Sequence, residues 1–522
     1  MDNFPKASRI RGWLLALVFG LSVVCGCSTA TPPLAATNPS ALNEQVFAVG
    51  YDRISQIFLK PVELNRLTFD GLSGLRGIEP GLTVERTRRG LRVLVSGRLA
   101  GDFPYPAAGD SAGWATLTTN AIERARMLSP VLRDATAEYI YQVVFDAVAA
   151  DLDSYSRYTS AQRASNERAQ RDGYGGIGLS LDQTDGRYVV REVQTGGPAD
   201  HAGIRTGEVI ITIDGSMTDR MVPQEVRDHL RGTPGTTVVV TLGPVNTPPR
   251  VVSMTREKVI PNTVASKVNG RVGVLKIERF NASTLINLRD SIIQMQASIP
   301  GGPLGFVIDL RGNPGGLLDQ AVAVANLFVR TGRIISTAGR HRDSWQQFDS
   351  NGEDIVDGLP LVVLVDGRSA SASEVVAAAL QDSGRAVVVG ASSFGKGSVQ
   401  TVTRLPNDGE LFLTWSRIYA PSGYTLHKQG VQPTVCTSKG QRDADAVLAP
   451  LRGGRVDRPA LFTRWRTAAP DDESALARLR ESCPWKEHEA ELDIKVAESL
   501  LADQNLFRNA LALATTAVAE HR

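Results

Sequence analysis

Apolar residues recur at helical spacing through the first third of the chain. Val46, Val49, Ile54 and Ile57 mark one such stretch, and Ile140, Val143, Val144 and Ala147 another. A stripe of this period predicts helices that bury one face. The region 43–172 therefore reads as mainly helical, interrupted over 81–104 by a hairpin-like pair of β runs around Arg89-Gly90. From 173 to 256 the pattern changes to short β-type runs separated by glycine turns. Over 257–440, runs of buried-strand type (272–275, 304–308, 361–365, 386–389) alternate with helical ones (284–297, 317–330, 373–381). That alternation predicts a layered α/β domain. Past Gly440 the chain becomes polar and helical and ends in one long amphipathic stretch over 487–521. No repeat of fixed period is present.

Composition narrows the function classes. The 522 residues leave room for about three domains of ordinary size. Apolar residues at 42% and charged ones at 21% fit a globular chain rather than a disordered or multi-span membrane protein. Lys+Arg 57 against Asp+Glu 55 leaves +2, and that excess lies in the first eleven residues. The remainder is close to neutral, which argues against a nucleic-acid partner.

The N-terminus reads as an address. Lys6, Arg9 and Arg11 precede an apolar run over 13–24, which ends in Val24-Cys25-Gly26-Cys27. A basic segment, an apolar run of about a dozen residues and a small residue before the cut make a secretory signal. The run is shorter than the roughly 20 residues that cross a bilayer. Its end resembles a bacterial lipobox, so 1–26 is the expected signal peptide and Cys27 the expected lipidation site. Residues 27–42, rich in Thr, Pro and Ala, read as a tether. With Cys25 removed and Cys27 acylated, Cys436 and Cys483 remain as the thiols of an exported chain, and a disulfide between them is expected.

Several motifs fail on mechanism. Gly173-Tyr-Gly175-Gly-Ile-Gly178 spells a dinucleotide fingerprint, but strand, turn and strand follow it where a helix N-terminus must hold the pyrophosphate. Gly390-Ala-Ser-Ser-Phe-Gly395-Lys396 nearly spells a phosphate loop, but Gly397 stands where a hydroxyl must meet Mg²⁺. The six histidines form no zinc-binding pair at helical spacing, and no metal or cofactor is expected.

Two serines, a lysine and a glycine loop remain. Ser369-Ala-Ser371-Ala-Ser373-Glu374 precedes an apolar helix, where orphan N–H groups and the helix dipole favour an attacking alkoxide. The same residues also spell a capping box, which needs no chemistry. Lys396, flanked by Gly395 and Gly397, follows a buried-type strand. A desolvated lysine serves as a general base, whereas an exposed loop lysine does nothing of the kind. Ser393-Phe-Gly-Lys396 offers a rival S-x-x-K pair, which needs a helix that its glycines oppose. Asp309-Leu-Arg-Gly-Asn-Pro314-Gly315-Gly316 is either an oxyanion-binding turn or a tight connection.

Taken in order, these segments resemble the C-terminal processing peptidases, also called tail-specific proteases. Asp153-Ser-Tyr-Ser-Arg-Tyr158 resembles the family's element ahead of an inserted PDZ domain. Tyr174-Gly-Gly-Ile-Gly178, Gly197-Pro-Ala199, Ala202-Gly203, Gly207 and Ile213-Asp-Gly215 resemble the PDZ itself. Then come Asp309 to Gly316, Ser369 to Glu374 and Phe394-Gly-Lys-Gly-Ser-Val-Gln400. The resemblance implies an α/β (α+β) multidomain protein: a helical N-terminal region (43–172), a PDZ domain (173–256), a crotonase-like protease core (257–440) and a helical extension (441–522) outside the resemblance. It implies Ser371 as nucleophile, Lys396 as general base, Gln400 as the residue orienting the lysine, and Ala372 with Gly315 or Gly316 as the oxyanion hole. Glu374 is read as a capping partner. In the PDZ, Gly176, Ile177, Gly178 and Leu179 would cup a substrate's terminal carboxylate, with Val226 and Leu230 facing the groove. The expected function is a periplasmic, lipid-anchored serine endopeptidase that selects proteins by their C-termini. The rival is a non-catalytic PDZ scaffold. The terminal helix is expected to serve packing or a homo-oligomer contact.

Overall fold

The computed structural model describes residues 39–243, 248–454, 458–486 and 490–519, so the expected signal peptide and Cys27 lie outside the described residues. Among the described residues no helix is long and apolar enough to cross a membrane. The first helix, Pro39–Ile57, begins inside the stretch read as tether. A proline suits the first helical turn because its missing N–H would have no partner there.

In the N-terminal region, Pro39–Ile57, Leu64–Gly74, Ser111–Leu128 and Ala137–Leu152 gather Phe47, Tyr51, Trp114 and Phe145 into one core. Caps match the sequence: Asp110 accepts from Gly113 N–H, and Thr136 from Tyr139 N–H. The expected hairpin gains a third strand, giving an antiparallel sheet of Leu82–Arg86, Gly90–Val95 and Arg98–Pro104. Leu411 and Leu413 of the protease core enter the same cluster.

The PDZ domain is an antiparallel sheet whose edge strand is Leu179–Thr184, with the helix Pro223–Leu230 over it. A short pair, Tyr174–Gly176 with Glu257–Val259, joins it to the core.

The protease core is built on six strands in the order Val264–Asn269, Val272–Ile277, Gly305–Asp309, Leu361–Val365, Val387–Gly390 and Val435–Cys436. All but the first pairing are parallel. Parallel strands are buried on both faces, which is why Leu361–Val365 is apolar without alternation. Leu275, Ile308, Val363 and Val388 face the helices Thr284–Ser298, Leu318–Asn326 and Ala372–Asp382. Val274, Val307, Val362, Val387 and Val389 face the other way, onto Ala444–Arg452, Ala490–Ala502 and Gln504–Ala519. These three helices are therefore a layer on the sheet rather than an appendage to it. The single terminal stretch expected over 487–521 is broken in two, because Asp503 accepts the N–H groups of Asn505 and Leu506 and starts a new helix. Cys436, on the last strand, is bonded to Cys483, which follows Glu473–Glu481.

A second sheet, Gln346–Ser350, Gly332–Ala338, Glu410–Tyr419 and Ser398–Arg404, leans against the first. Arg157–Thr159 joins it by pairing with residues 410–412.

Candidate active site

Ser371 stands at the turn between the strand Leu361–Val365 and the helix Ala372–Asp382, with φ 55° and ψ −112°. A side chain other than glycine is strained there, and such strain persists only where surroundings over-determine it. The neighbours do so. Ser369 Oγ donates to Leu310 O at 2.8 Å, Ala370 N–H to Asn313 O at 3.0 Å, and Ser373 Oγ to the same oxygen at 3.0 Å. Ser369 and Ser373 are fully buried ties, and the middle serine alone of the three reaches the surface.

The glycine loop lies against this turn. A Cβ on Gly315 would stand 2.9 Å from Ser371 Cβ and 3.0 Å from Ala372 N. Asn313, wholly buried, fixes the loop by donating to Ile277 O at 2.8 Å and accepting from Gly315 N–H at 2.8 Å. That bond occupies the Gly315 N–H. The N–H groups of Ala372, which is part of this contact, and of Gly316, one residue on from Gly315, have no acceptor among the described residues. Gly316 has φ 145°, and a Cβ there would fall 2.0 Å from Phe280 O, so no other residue fits.

Glu374 joins serine and lysine. Its buried carboxylate accepts from Ser371 N–H at 2.7 Å, Ser393 Oγ at 2.5 Å, Gly395 N–H at 2.6 Å and Lys396 N–H at 2.9 Å. Burial raises its pKa, and these four donors oppose the rise. The backbones of Ser371 and Lys396 thus hang on one carboxylate oxygen, Oε2. Sequence reading gave Glu374 only the capping role, because three of its four donors come from or beside a loop some twenty residues away in the sequence.

Burial holds the Lys396 amine below its ordinary pKa. Arg157 adds to the effect, while Glu374 and Asp153 oppose it. Its Nζ lies 5.3 Å from the centre of the Tyr155 ring. Asp153 accepts from the N–H groups of Tyr155 and Ser156, which turns this segment so that the ring faces the lysine. The sequence contained the segment as a motif but offered no sign of this contact. No hydrogen bond joins Ser371 Oγ to Lys396 Nζ; such bonds are often loose in unliganded sites and tighten around substrate.

Gln400 and Ser393 have partners other than the Lys396 amine. The Gln400 amide donates to Ser398 Oγ at 3.0 Å and Thr414 Oγ1 at 3.3 Å, and to nothing on Lys396. Ser393 lies in a loop, fully buried, donating to Glu374 and accepting from Val431 N–H at 2.7 Å. The S-x-x-K pairing has neither the helix nor the access it needs.

A cleft of about 800 Å³ separates the PDZ from the core, and Ile177, Gly178, Leu179, Val226 and Leu230 all line it. The N–H groups of Ile177 and Gly178 have no acceptor among the described residues, and the adjoining strand Leu179–Thr184 is a free sheet edge. Val226 and Leu230 form the floor, their bodies sunk in the PDZ core. Gly176 does not line the cleft. It pairs with Glu257 at the base of the domain, where strand pairing has claimed its backbone.

Comparison with known proteins places these elements. The profile of peptidase family S41 matches residues 271–437, and that of the PDZ domain matches 189–242. A carboxy-terminal-processing protease of Bartonella bacilliformis is 38% identical over 287 residues, 54% of this chain and 66% of that protein. A carboxyl-terminal-processing protease of Picosynechococcus is 32% identical over 307 residues, 57% of this chain and 73% of that one. The solved photosystem II D1 C-terminal processing protease aligns with 75% of this chain and 92% of its own at 26% identity, with a TM-score of 0.36. Outside the S41 match lie both the segment 153–158, which brings Tyr155 to Lys396, and the whole of 441–522. With a PDZ match ahead of an S41 match, and a relative 32% identical of which 73% is covered, the chain belongs to peptidase family S41, among the carboxyl-terminal-processing proteases.

Proposed function

We propose that the chain is a serine endopeptidase that cleaves proteins selected by their C-termini, with Ser371 as nucleophile and Lys396 as general base. The observation that carries this is the Glu374 carboxylate, which ties a strained, partly exposed serine to a desolvated lysine. The neutral Lys396 amine takes the proton from Ser371 Oγ as the oxygen attacks the scissile carbonyl carbon. The N–H groups of Gly316 and Ala372 stabilise the oxyanion, since the Gly315 N–H is already spent on Asn313. Lys396 then passes its proton to the leaving amine, and water hydrolyses the acyl-serine with the lysine again as base. Gln400 supports the strand that follows the lysine through Ser398 and Thr414.

Substrate choice falls to the PDZ. A terminal carboxylate would sit on the N–H groups of Ile177 and Gly178, and the peptide would add as a strand beside Leu179–Thr184. The leader over 1–26 supports export to the periplasm, with Cys27 acylated and the protein anchored to a membrane.

A fluorophosphonate, which phosphonylates an activated serine oxygen with loss of fluoride, tests the site. Labelling is expected on Ser371 of the wild type and lost in Lys396→Ala; a label on Ser393, or labelling indifferent to Lys396, would refute the assignment. Because the base must be neutral, labelling should rise with pH, its midpoint below that of an ordinary lysine.

A further inference from the structure

The loop that carries Lys396 is held from outside the S41 match. Arg480, at the end of the helix Glu473–Glu481, points its guanidinium into that loop. Nη1 donates to Ser393 O at 3.3 Å. Nη2 donates to Phe394 O at 3.2 Å, Lys428 O at 2.9 Å and Gln429 O at 3.0 Å. Among the described residues no carboxylate forms an ion pair with Arg480, so the charge is directed at carbonyl groups, two of them directly ahead of Gly395-Lys396. Gly395 allows the approach, since a Cβ there would stand 2.8 Å from Arg480 Nη2. The segment that follows the helix holds the same loop. Ser392 Oγ donates to Cys483 O at 2.6 Å, and Cys483 N–H donates to Arg480 O at 3.0 Å. Cys483 is itself bonded to Cys436 on the last strand of the sheet.

We propose that Arg480 is a positioning residue, which fixes the backbone at Ser393 and Phe394 so that Lys396 stays in its dry site beside Ser371. The Cys436–Cys483 bond holds the arginine's helix to that task. This rests on the reading of Lys396 as general base. The planar guanidinium holds Nη1 and Nη2 in a fixed fork, with the two hydrogens of Nη2 shared among three carbonyls, a geometry that an ammonium on a flexible stem does not reproduce. Lysine at 480 therefore keeps the charge and loses the geometry. Burial holds Arg480 itself below its ordinary pKa, with Glu374 opposing. The charged and titratable groups around Lys396 are Arg157, Asp153, Tyr155 and Glu374, with Arg417 and His427 behind Tyr155, and a variant at 480 leaves all of them in place.

The test uses the full chain as wild type, Arg480→Lys, Arg480→Ala and the double variant Cys436→Ser, Cys483→Ser. The reactivity of Lys396 toward trace acetic anhydride is followed against pH by peptide mass spectrometry, which reads the amine directly and needs no peptidase activity. In Arg480→Lys the midpoint is expected to rise by about one pH unit as water reaches the loop. Thermal unfolding should be nearly unchanged, and kcat should fall about tenfold with KM held within about twofold. Arg480→Ala should do the same more strongly, and the cysteine variant more weakly. If the alanine variant fails to fold, the lysine variant decides. A wild-type midpoint in Arg480→Lys overturns the proposal whatever the activity. A shifted midpoint in a protein whose Ser371 never acylates upholds the positioning role and sinks the peptidase reading instead.

Discussion

The two faces of the protease sheet are covered by helices of different standing. One cover, Thr284–Ser298, Leu318–Asn326 and Ala372–Asp382, lies within the family match and carries the Ser371 turn. The other, Ala444–Arg452, Ala490–Ala502 and Gln504–Ala519, lies beyond it, yet buries Val307, Val362 and Val387 just as completely. The second cover and its connections also reach the glycine loop, the Ser371 helix and the turn ahead of it. Asp493 meets Arg311 of the glycine loop at 3.0 Å, and Arg466 meets Asp382 of the serine helix at 2.5 Å. Trp485 Nε1 donates to Gly367 O at 2.6 Å, just ahead of Ser369. Parallel strands buried on both faces need both covers, whichever of them a family profile recognises.

The largest expected effect comes from removing the second cover. A chain ending at Gly440 should fail to yield a folded protease core, since a whole apolar sheet face would meet water; soluble expression and circular dichroism check this, and a folded, cleaving product would show the faces to be unequal. Next comes Asp382→Asn, which leaves the buried Arg466 guanidinium without its counter-charge. Breaking such a pair should cost about 3–5 kcal/mol in urea unfolding. Paired cavity mutants then compare the faces directly. Leu500→Ala beneath the second cover and Ile292→Ala beneath the first are both fully buried and should each cost about 2–5 kcal/mol. A near-zero value for Leu500→Ala alone would break the equivalence.

The smallest effect concerns acid. Burial, Arg417 and Lys428 hold His427 down to about 4 from 6.5. Between those values the unfolded chain binds the extra proton and the folded one does not, so stability should fall as pH drops from 6.5 toward 4. His427→Gln should flatten that part of the melting-temperature profile, and an unchanged slope would place the acid sensitivity elsewhere.

Local pattern made much of this readable. The strand over 361–365 matched residue for residue, as its unbroken apolar run demanded. Strand, turn and helix start are written in adjacent residues at Ser371 and at the glycine loop, and Lys396 follows a buried-type strand between two glycines, but the roles of all three come from the order of motifs that resembles the family. What escaped depends on distance along the chain. Nothing local says that Glu374 will gather Gly395 and Lys396, or that Tyr155 will cross to a lysine in another segment. The role of 441–522 escaped for a related reason: amphipathic spacing reveals that a helix buries a face, not what it buries it against. Gly176 was misplaced because a glycine-rich loop and the strand leading into it look alike in sequence.

The most direct measurement is digestion of an unfolded protein with an apolar C-terminus, by wild type beside Ser371→Ala, Ser393→Ala and Lys396→Ala. Cleavage retained in Ser393→Ala, apart from any loss of stability, and abolished in Ser371→Ala and Lys396→Ala is the expected result. Cleavage that survives in Ser371→Ala would contradict the assignment of the nucleophile.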